Sequence, residues 1–124
     1  VTLDFKNPDA VRALTWALLK QDFGVDLHLP ADSLVPRIPL RLNYILWLED
    51  LLNVQTGAKP RDGPVRGIDI GAGASCVYPI LGVKQCGWHF LATEHNDTAT
   101  KIALENVKRN GLTEFIKGLH SIQE

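Results

Sequence analysis

One short segment of the chain has the residue types of a nucleotide-type binding loop. Residues 68–75 read Ile-Asp-Ile-Gly-Ala-Gly-Ala-Ser, and they lie where a strand is expected to pass into a helix. Glycines at such a turn let the backbone bend tightly and approach a ligand closely, because no Cβ stands in the way. Glu94 ends the next predicted strand, near the ~20-residue offset at which an acidic side chain meets ribose hydroxyls. This segment, the glycine loop (68–75), and Glu94 together predict a nucleoside-binding crevice.

The glycine pattern discriminates between the ligands that such a crevice could hold. A dinucleotide-binding loop has a third glycine, beneath the pyrophosphate, at the position where this chain has Cys76. The sequence also lacks the GxxxxGK[ST] loop of nucleoside triphosphatases. S-adenosylmethionine has no phosphate, and Asp69 is placed to orient the loop or to hydrogen-bond the amino group of that cofactor through its neighbours. The pattern therefore favours S-adenosylmethionine over a nicotinamide or flavin cofactor, and the other alternative is an ordinary turn without a ligand.

Apolar residues at helical spacing predict two helices before the glycine loop. The first begins at Asn7-Pro8-Asp9, which offers a cap, a first helical residue and a charge that suits the helix dipole, and it ends near Phe23. The second is predicted from Leu40 to Asn53, after a segment with three prolines that forbid a continuous helix. Residues 1–53 are therefore assigned to an N-terminal helical region, and residues 54–64 to a loop.

After residue 64 the pattern changes to alternating strands and helices. Strands are predicted from Val65 to Ile70, from Trp88 to Thr93 and at Ile116 to Leu119, with a second element near Cys76 to Leu81. Another helix, capped by Asn96 or Asp97, precedes the third strand. This order is typical of a parallel, doubly wound sheet. The predicted fold class is α/β, a partial Rossmann-like sheet of the class I methyltransferase type, in which residues 65–124 bind the cofactor.

Composition and charge limit the other function classes. The chain has 124 residues and a formal net charge of -1, so it lacks the strong positive charge of many nucleic-acid-binding proteins. No apolar run approaches the roughly 18 residues of a membrane span, and the histidines lack the spacing of a metal site. We therefore expect a nuclear or cytoplasmic protein without a metal. Any RNA contact must come from local cations, for which the candidates are Lys6, Arg12, Lys59, Arg61 and Arg66.

The three tryptophans allow two interpretations. Aromatic rings can stack on bases in single-stranded nucleic acid. Trp16 and Trp47 lie on apolar helix faces, however, and Trp88 starts a strand. We therefore expect all three to pack in the core.

Four blocks of the sequence closely resemble the methyltransferase-like-sixteen family. They are Leu3 to Leu14, Pro39 to Ile45, Gly67 to Pro79 and Leu91 to Glu94, and the resemblance covers nearly the whole chain. It implies methyl transfer from S-adenosylmethionine to N(6) of adenosine in structured RNA, with S-adenosylhomocysteine as the product. The substrates of such enzymes include U6 small nuclear RNA and hairpins of an adenosylmethionine synthetase transcript, and a bacterial relative acts on large-subunit ribosomal RNA.

The resemblance also implies roles for individual residues. Arg41 would bind the cofactor carboxylate, for which a guanidinium fork is well shaped, although a surface arginine at a helix start is the alternative. Gly71 and Ser75 would line the methionine end, and Glu94 would accept both ribose hydroxyls. With Asp69 and Gly73 of the same loop, these residues are the candidate cofactor contacts.

One family motif has no counterpart in this sequence. The catalytic Asn-Pro-Pro-Phe, which holds the target amine and stacks the extruded adenine, does not occur in it. Asn7-Pro8 does not replace that motif, because Asp9 and Ala10 follow it. We therefore predict the cofactor-binding part of an RNA methyltransferase, inactive alone and without a catalytic residue of its own. The alternatives are an inactive adenosylmethionine-binding or interaction module, and a methyltransferase for another acceptor.

Overall fold

Two helices precede a strand–helix–strand–helix–strand unit in the computed structural model, which describes residues 2–56 and 61–120. The three strands are parallel, in the order β1-β2-β3. The predicted α/β fold class, a partial Rossmann-like sheet after a helical region, is confirmed, while the proposed division at residues 53 and 64 stays a prediction. In chain order, the elements are α1 (Pro8–Phe23), α2 (Ile38–Thr56), β1 (Arg66–Ile70), α3 (Val77–Cys86), β2 (His89–Thr93), α4 (Asp97–Arg109) and β3 (Ile116–Lys117).

The two N-terminal helices differ in how well their ends were predicted. The Asn7 side chain accepts a hydrogen bond from the Asp9 N–H at 3.0 Å, so α1 has the expected cap. Helix α2 begins at Ile38, two residues before the predicted start, with Pro39 inside its first turn, and it ends at Thr56, three residues into the segment predicted to be a loop. A proline is tolerated there because the N–H groups of the first turn have no partner within the helix. Among the described residues, no helix is long and apolar enough to cross a membrane.

Phe90 fills the narrow space between β1 and α3. A Cβ atom added to Gly67 of β1 would lie 2.7 Å from Cε1 of the Phe90 ring. A Cβ added to Gly82 of α3 would lie 2.5 Å from Cε2 of the same ring. Both distances are shorter than a van der Waals contact, so these two positions accept only glycine unless the ring moves. This packing sets how closely α3 approaches the sheet that carries the glycine loop.

Asn106 of α4 and Asn110, which follows the last residue of α4, attach the segment after α1 to the α/β unit. Asn106, 1% exposed, accepts from the His28 N–H at 2.9 Å and donates to the His28 carbonyl at 3.0 Å. Its amide nitrogen also lies 3.2 Å from the carbonyl oxygen of Ala74 in the glycine loop. Asn110 makes the same pair of hydrogen bonds with the backbone of Asp26. One buried amide therefore joins the N-terminal region, α4 and the loop.

The face of the sheet that lies opposite Phe90 and α3 is not covered by other elements within the described part of the chain. Ile68 is 70% exposed, Ile70 is 85% exposed and Leu91 is 45% exposed. Ile68 pairs with Leu91 in the parallel register, so these side chains form one continuous apolar surface. Parallel sheets are ordinarily covered on both faces, and here the described residues cover one.

The core placement predicted for the tryptophans is confirmed for Trp88 and wrong for the other two. Trp88 is 7% exposed, whereas Trp16 and Trp47 are 45% and 55% exposed. The indole N–H of Trp16 donates to Asp26 at 3.2 Å, and Lys20 lies over its ring at 5.5 Å. These polar partners hold the ring at the surface of α1. Trp47 lies on α2. This helix has apolar side chains on more than one face, and the described elements do not cover all of them.

We expect Asn106→Ala to lower the free energy of unfolding by about 2 kcal/mol, because it removes the buried partner of the partly buried His28 N–H and carbonyl groups, and a group left unsatisfied costs about 1–3 kcal/mol. Urea denaturation followed by circular dichroism measures this change. Asn43→Ala, at an exposed asparagine of α2, is the matched control and should stay within about 0.5 kcal/mol of the unsubstituted chain. Equal midpoints for the two variants would contradict the role given to Asn106.

Candidate functional site

A cavity of about 460 Å³ lies where the chain leaves β1 and enters the glycine loop. This is the carboxyl end of a parallel strand, the edge at which open α/β sheets bind their ligands. Side chains from α2 and α3 complete its wall, together with Ser33, Leu34 and Pro36 from the segment before α2. Five of the six predicted cofactor residues line this cavity: Arg41, Asp69, Gly71, Gly73 and Ser75.

The glycine loop requires glycine for its backbone conformation. Gly71 and Gly73 have φ values of 77° and 71°, in the left-handed region that residues with a Cβ rarely adopt. A Cβ at either position would meet no atom within 4 Å, so space is not the constraint in this structure. The N–H groups of Gly71 and Ala72 both donate to the Thr93 carbonyl, at 2.9 and 2.8 Å. The loop is thereby tied to the end of β2.

Cys76 occupies the position of the missing third glycine, and its backbone is also left-handed. Its φ is 49°, the only positive value at a non-glycine residue in the described part of the chain. The side chain is fully buried, and burial, with a smaller effect of Asp69, raises the pKa of the thiol to about 12. Cys76 is therefore a protonated packing residue at the start of α3 and not a nucleophile.

The Glu94 carboxylate is 9% exposed and binds backbone N–H groups through both oxygens. Oε2 accepts from Gly73 at 2.9 Å, and Oε1 accepts from His95 at 2.8 Å and from Asn96 at 3.1 Å. The Asn96 hydrogen bond is the largest single influence on the pKa of Glu94, and together these contacts lower it below its ordinary value although burial opposes them. Glu94 is not among the described residues that line the cavity, and it reaches the cavity through Gly73. Its contact with ribose stays a prediction.

Asp69 is the acidic group of the cavity wall. Within the described residues no donor hydrogen-bonds its carboxylate, in contrast to Glu94. Burial raises the pKa of Asp69, and the nearby negative charge of Glu94 raises it further. An unpaired, partly desolvated carboxylate at a cavity wall attracts a cation. Asp69 therefore has the electrostatics of an acceptor for a positively charged ligand group.

Arg41 is the basic group of the same wall. Its Nη1 donates to the Tyr78 hydroxyl at 2.8 Å, and its Cζ lies 5.3 Å from the centre of the Tyr78 ring. Its Nε is buried and has no hydrogen-bond partner among the described residues. Arg41, in the first turn of α2, is partly buried and lines the cavity, and its contact with a cofactor carboxylate stays a prediction.

The structure does not bring the candidate RNA-binding residues into one site. Arg12 lies in a cleft of about 320 Å³ beside Trp16, where its Nη2 donates to the Ala31 carbonyl at 2.8 Å. Arg66 lines a groove on the open face of the sheet, together with Lys117. Lys6 and Arg61 are exposed, and Lys59 lies outside the described residues. Their contact with RNA stays a prediction.

Two residues that shape the cavity were missed by sequence reasoning. Asn106 lies between Ala103 and Val107 on the apolar face of α4, and an amide in that position is a usable signal because buried polar groups need partners. Tyr78 gives no such signal. Its contact with Arg41 joins two helices that are distant in sequence, and no local pattern predicts which residues of α2 and α3 meet.

Comparison with solved structures shows which class of protein this fold and cavity define. The N-terminal domain of human METTL16 in complex with SAH has a TM-score of 0.85 and 51% identity, over 94% of this chain and 44% of that chain. The human METTL16 catalytic domain in complex with MAT2A 3′UTR hairpin 6 has a TM-score of 0.83 and 50% identity, over 94% and 39%. The chain therefore has part of a class I methyltransferase fold.

Sequence comparison places the chain within that class. A family model described as RNA methyltransferase matches residues 1–123, and the chain belongs to this family. The RNA N(6)-adenosine-methyltransferase mettl16 of Danio rerio is 55% identical over 117 residues, which are 94% of this chain and 24% of that protein. The U6 small nuclear RNA (adenine-(43)-N(6))-methyltransferase of Caenorhabditis elegans is 45% identical over 97% of this chain and 24% of that protein. The family resemblance is confirmed, and the chain spans about a quarter of these relatives' length.

We expect Asp69→Asn to raise the free energy of unfolding at neutral pH, because it removes a charge that burial and Glu94 disfavour in the folded state. The folded-state pKa of Asp69 is raised, so the penalty develops as the pH rises through that pKa. The gain should therefore vanish below its ordinary value of 3.8, where Asp69 is protonated in both the folded and the unfolded state. Urea midpoints across this pH range measure the effect. Asp50→Asn, at an exposed residue of α2, is the control, and an equal gain in it would contradict the assignment.

Proposed function

We propose that this chain is the cofactor-binding part of an S-adenosylmethionine-dependent RNA adenosine N(6)-methyltransferase. The observation that carries the proposal is a single cavity, at the carboxyl end of β1, lined by Arg41, Asp69 and the glycine loop. The methionine end of the cofactor bears a carboxylate and an ammonium group. The guanidinium and the carboxylate of the wall are complementary to this pair, and a SAH complex of a relative that is 51% identical supports the same ligand.

The lining of the cavity favours an amino-acid moiety over a phosphate. Its charged side chains are one guanidinium and one carboxylate, and the carboxylate would repel a phosphate. Gly71 and Gly73 bring backbone without Cβ atoms to the wall, next to Ser75. The volume of about 460 Å³ lies within the roughly 300–1,000 Å³ of small-molecule sites. We therefore propose that S-adenosylmethionine binds here and that S-adenosylhomocysteine is released.

Glu94 would have a double role in this site. Its hydrogen bond to the Gly73 N–H fixes the loop against the end of β2. A carboxylate offers about four acceptor positions, and backbone N–H groups occupy both positions of Oε1, which the His95 ring also approaches at 3.1 Å, and one position of Oε2. We propose that the remaining position accepts one ribose hydroxyl, instead of the two hydroxyls that the family resemblance implies.

The proposal that the methyl acceptor is RNA rests on the relatives. Human METTL16 was solved in complex with MAT2A 3′UTR hairpins, and other relatives are U6 small nuclear RNA methyltransferases. We propose a structured RNA hairpin or a U6-like RNA as the acceptor of the whole enzyme, and a nuclear or cytoplasmic location. The 124 residues contain no Asn-Pro-Pro-Phe, so we expect this chain alone to bind the methyl donor without transferring the methyl group.

We expect Arg41→Met to weaken the binding of S-adenosylhomocysteine by roughly 10- to 100-fold, the effect of losing a charged hydrogen-bonded pair. Isothermal titration calorimetry on the unsubstituted chain and the variant measures this change. Arg37→Met, at an exposed arginine one turn earlier, is the matched control and should bind as the unsubstituted chain does. Absence of binding by the unsubstituted chain would reject the proposed function, and equal affinity in Arg41→Met would remove Arg41 from the site.

Contact of the exposed arginines with RNA predicts a change in salt dependence. In filter binding with an RNA hairpin at rising salt, Arg61→Ala and Arg66→Ala should each lower the slope of log affinity against log salt by about one. The reason is that RNA binding releases about one counterion fewer for each phosphate contact that the variant lacks. Lys84→Ala, at an exposed lysine of α3, is the control. An unchanged slope in either arginine variant would take that residue out of the RNA-binding surface.

A further inference from the structure

Tyr78 lies at the start of α3, after the glycine loop, and contacts the guanidinium of Arg41. It is the second residue of α3, two positions after Cys76, and it lines the same cavity as Arg41. Its hydroxyl accepts the hydrogen bond from Nη1 of Arg41 at 2.8 Å, and its ring lies beneath the guanidinium, 5.3 Å from Cζ. The same side chain therefore contacts Arg41 through both its polar end and its aromatic face.

The Tyr78 ring is itself held by a neighbour from α2. The Tyr44 ring meets it edge-on, with the two centroids 5.1 Å apart and an angle of 61° between the ring planes. This T-shaped arrangement is the geometry that aromatic pairs prefer. Helix α2 thus supplies the supporting ring of Tyr44 and the guanidinium of Arg41. Helix α3 supplies the Tyr78 hydroxyl that contacts this guanidinium.

These contacts leave part of the guanidinium available to a ligand. A guanidinium has five N–H donors in a rigid fork, and Tyr78 occupies one of them. Nε of Arg41 is buried and unpartnered among the described residues, so water does not reach it, and the outer Nη groups are the donors that a ligand in the cavity can meet. Fixing a long side chain in advance reduces the ordering that binding would otherwise require.

We propose that Tyr78 is a positioning residue that orients Arg41 toward the carboxylate of the cofactor. This inference rests on the proposed function and deepens it, because it states how the site recognises the amino-acid end of the ligand. The ring lies at cation–π distance from the guanidinium, and the hydroxyl fixes the rotation of the guanidinium through its hydrogen bond to Nη1. Removing only the hydroxyl therefore leaves Arg41 in place but lets the plane of its fork turn.

The test uses two ligands that differ at the amino-acid end. S-adenosylhomocysteine has the carboxylate, whereas 5′-methylthioadenosine keeps the nucleoside and the sulfur and lacks both the carboxylate and the amine. Tyr78→Phe should weaken S-adenosylhomocysteine by roughly fivefold, as expected for one hydrogen bond, and leave 5′-methylthioadenosine unchanged in calorimetric titration. Adding Tyr78→Phe to Arg41→Met should cause no further loss, because the hydroxyl acts only through the guanidinium.

The remaining outcomes separate the inference from the function on which it rests. If the unsubstituted chain binds both ligands and Tyr78→Phe binds S-adenosylhomocysteine equally well, the positioning role is wrong and the proposed function stands. An equal loss for both ligands also overturns the role, since it indicates a general effect on the fold. A chain that binds neither ligand rejects the proposed function and the inference with it.

Discussion

The buried amide of Asn106 is the interaction on which the arrangement of this domain depends. It satisfies both backbone groups of His28 and the carbonyl of Ala74, so three parts of the chain share one side chain. The segment with Ser33 and Pro36 forms a wall of the cavity, and the Thr15 hydroxyl of α1 donates to the Pro36 carbonyl at 2.8 Å, so the wall is fixed to the N-terminal region that Asn106 joins to α4. A buried amide with all its partners specifies one arrangement, since any shift leaves a polar group unpaired in the core.

The two acidic residues at the strand ends show how similar groups acquire different functions from their surroundings. Backbone N–H groups donate to the Glu94 carboxylate and lower its pKa. Its negative charge therefore stabilises the glycine loop. Asp69 has no such donors among the described residues, and burial together with Glu94 raises its pKa. Asp69 is thus the carboxylate of the cavity wall whose charge has no hydrogen-bond donor among the described residues. A site that binds a sulfonium and an ammonium group benefits from that imbalance.

Much of the α/β unit was predictable because its signals are local. Positive φ values at Gly71 and Gly73 require glycine, and an asparagine that caps α4 at Asn96 must precede the helix that it caps. The surface positions of Trp16 and Trp47 were not predictable in this way. Their exposure depends on which other elements cover α1 and α2, and a helical stripe of apolar residues does not contain that information.

The sequence by itself determined the succession of strands and helices after residue 64, the glycine loop, the acidic residue at the end of β2 and the family to which the chain belongs. These features depend on residue type and spacing along a continuous stretch of chain. Only the tertiary structure decided that Arg41 meets Tyr78, that Glu94 holds Gly73, and that Asn106 links the N-terminal helical region to the α/β unit. Such contacts join side chains that are far apart in sequence, and their geometry is set by the packing of helices on the sheet rather than by any local preference.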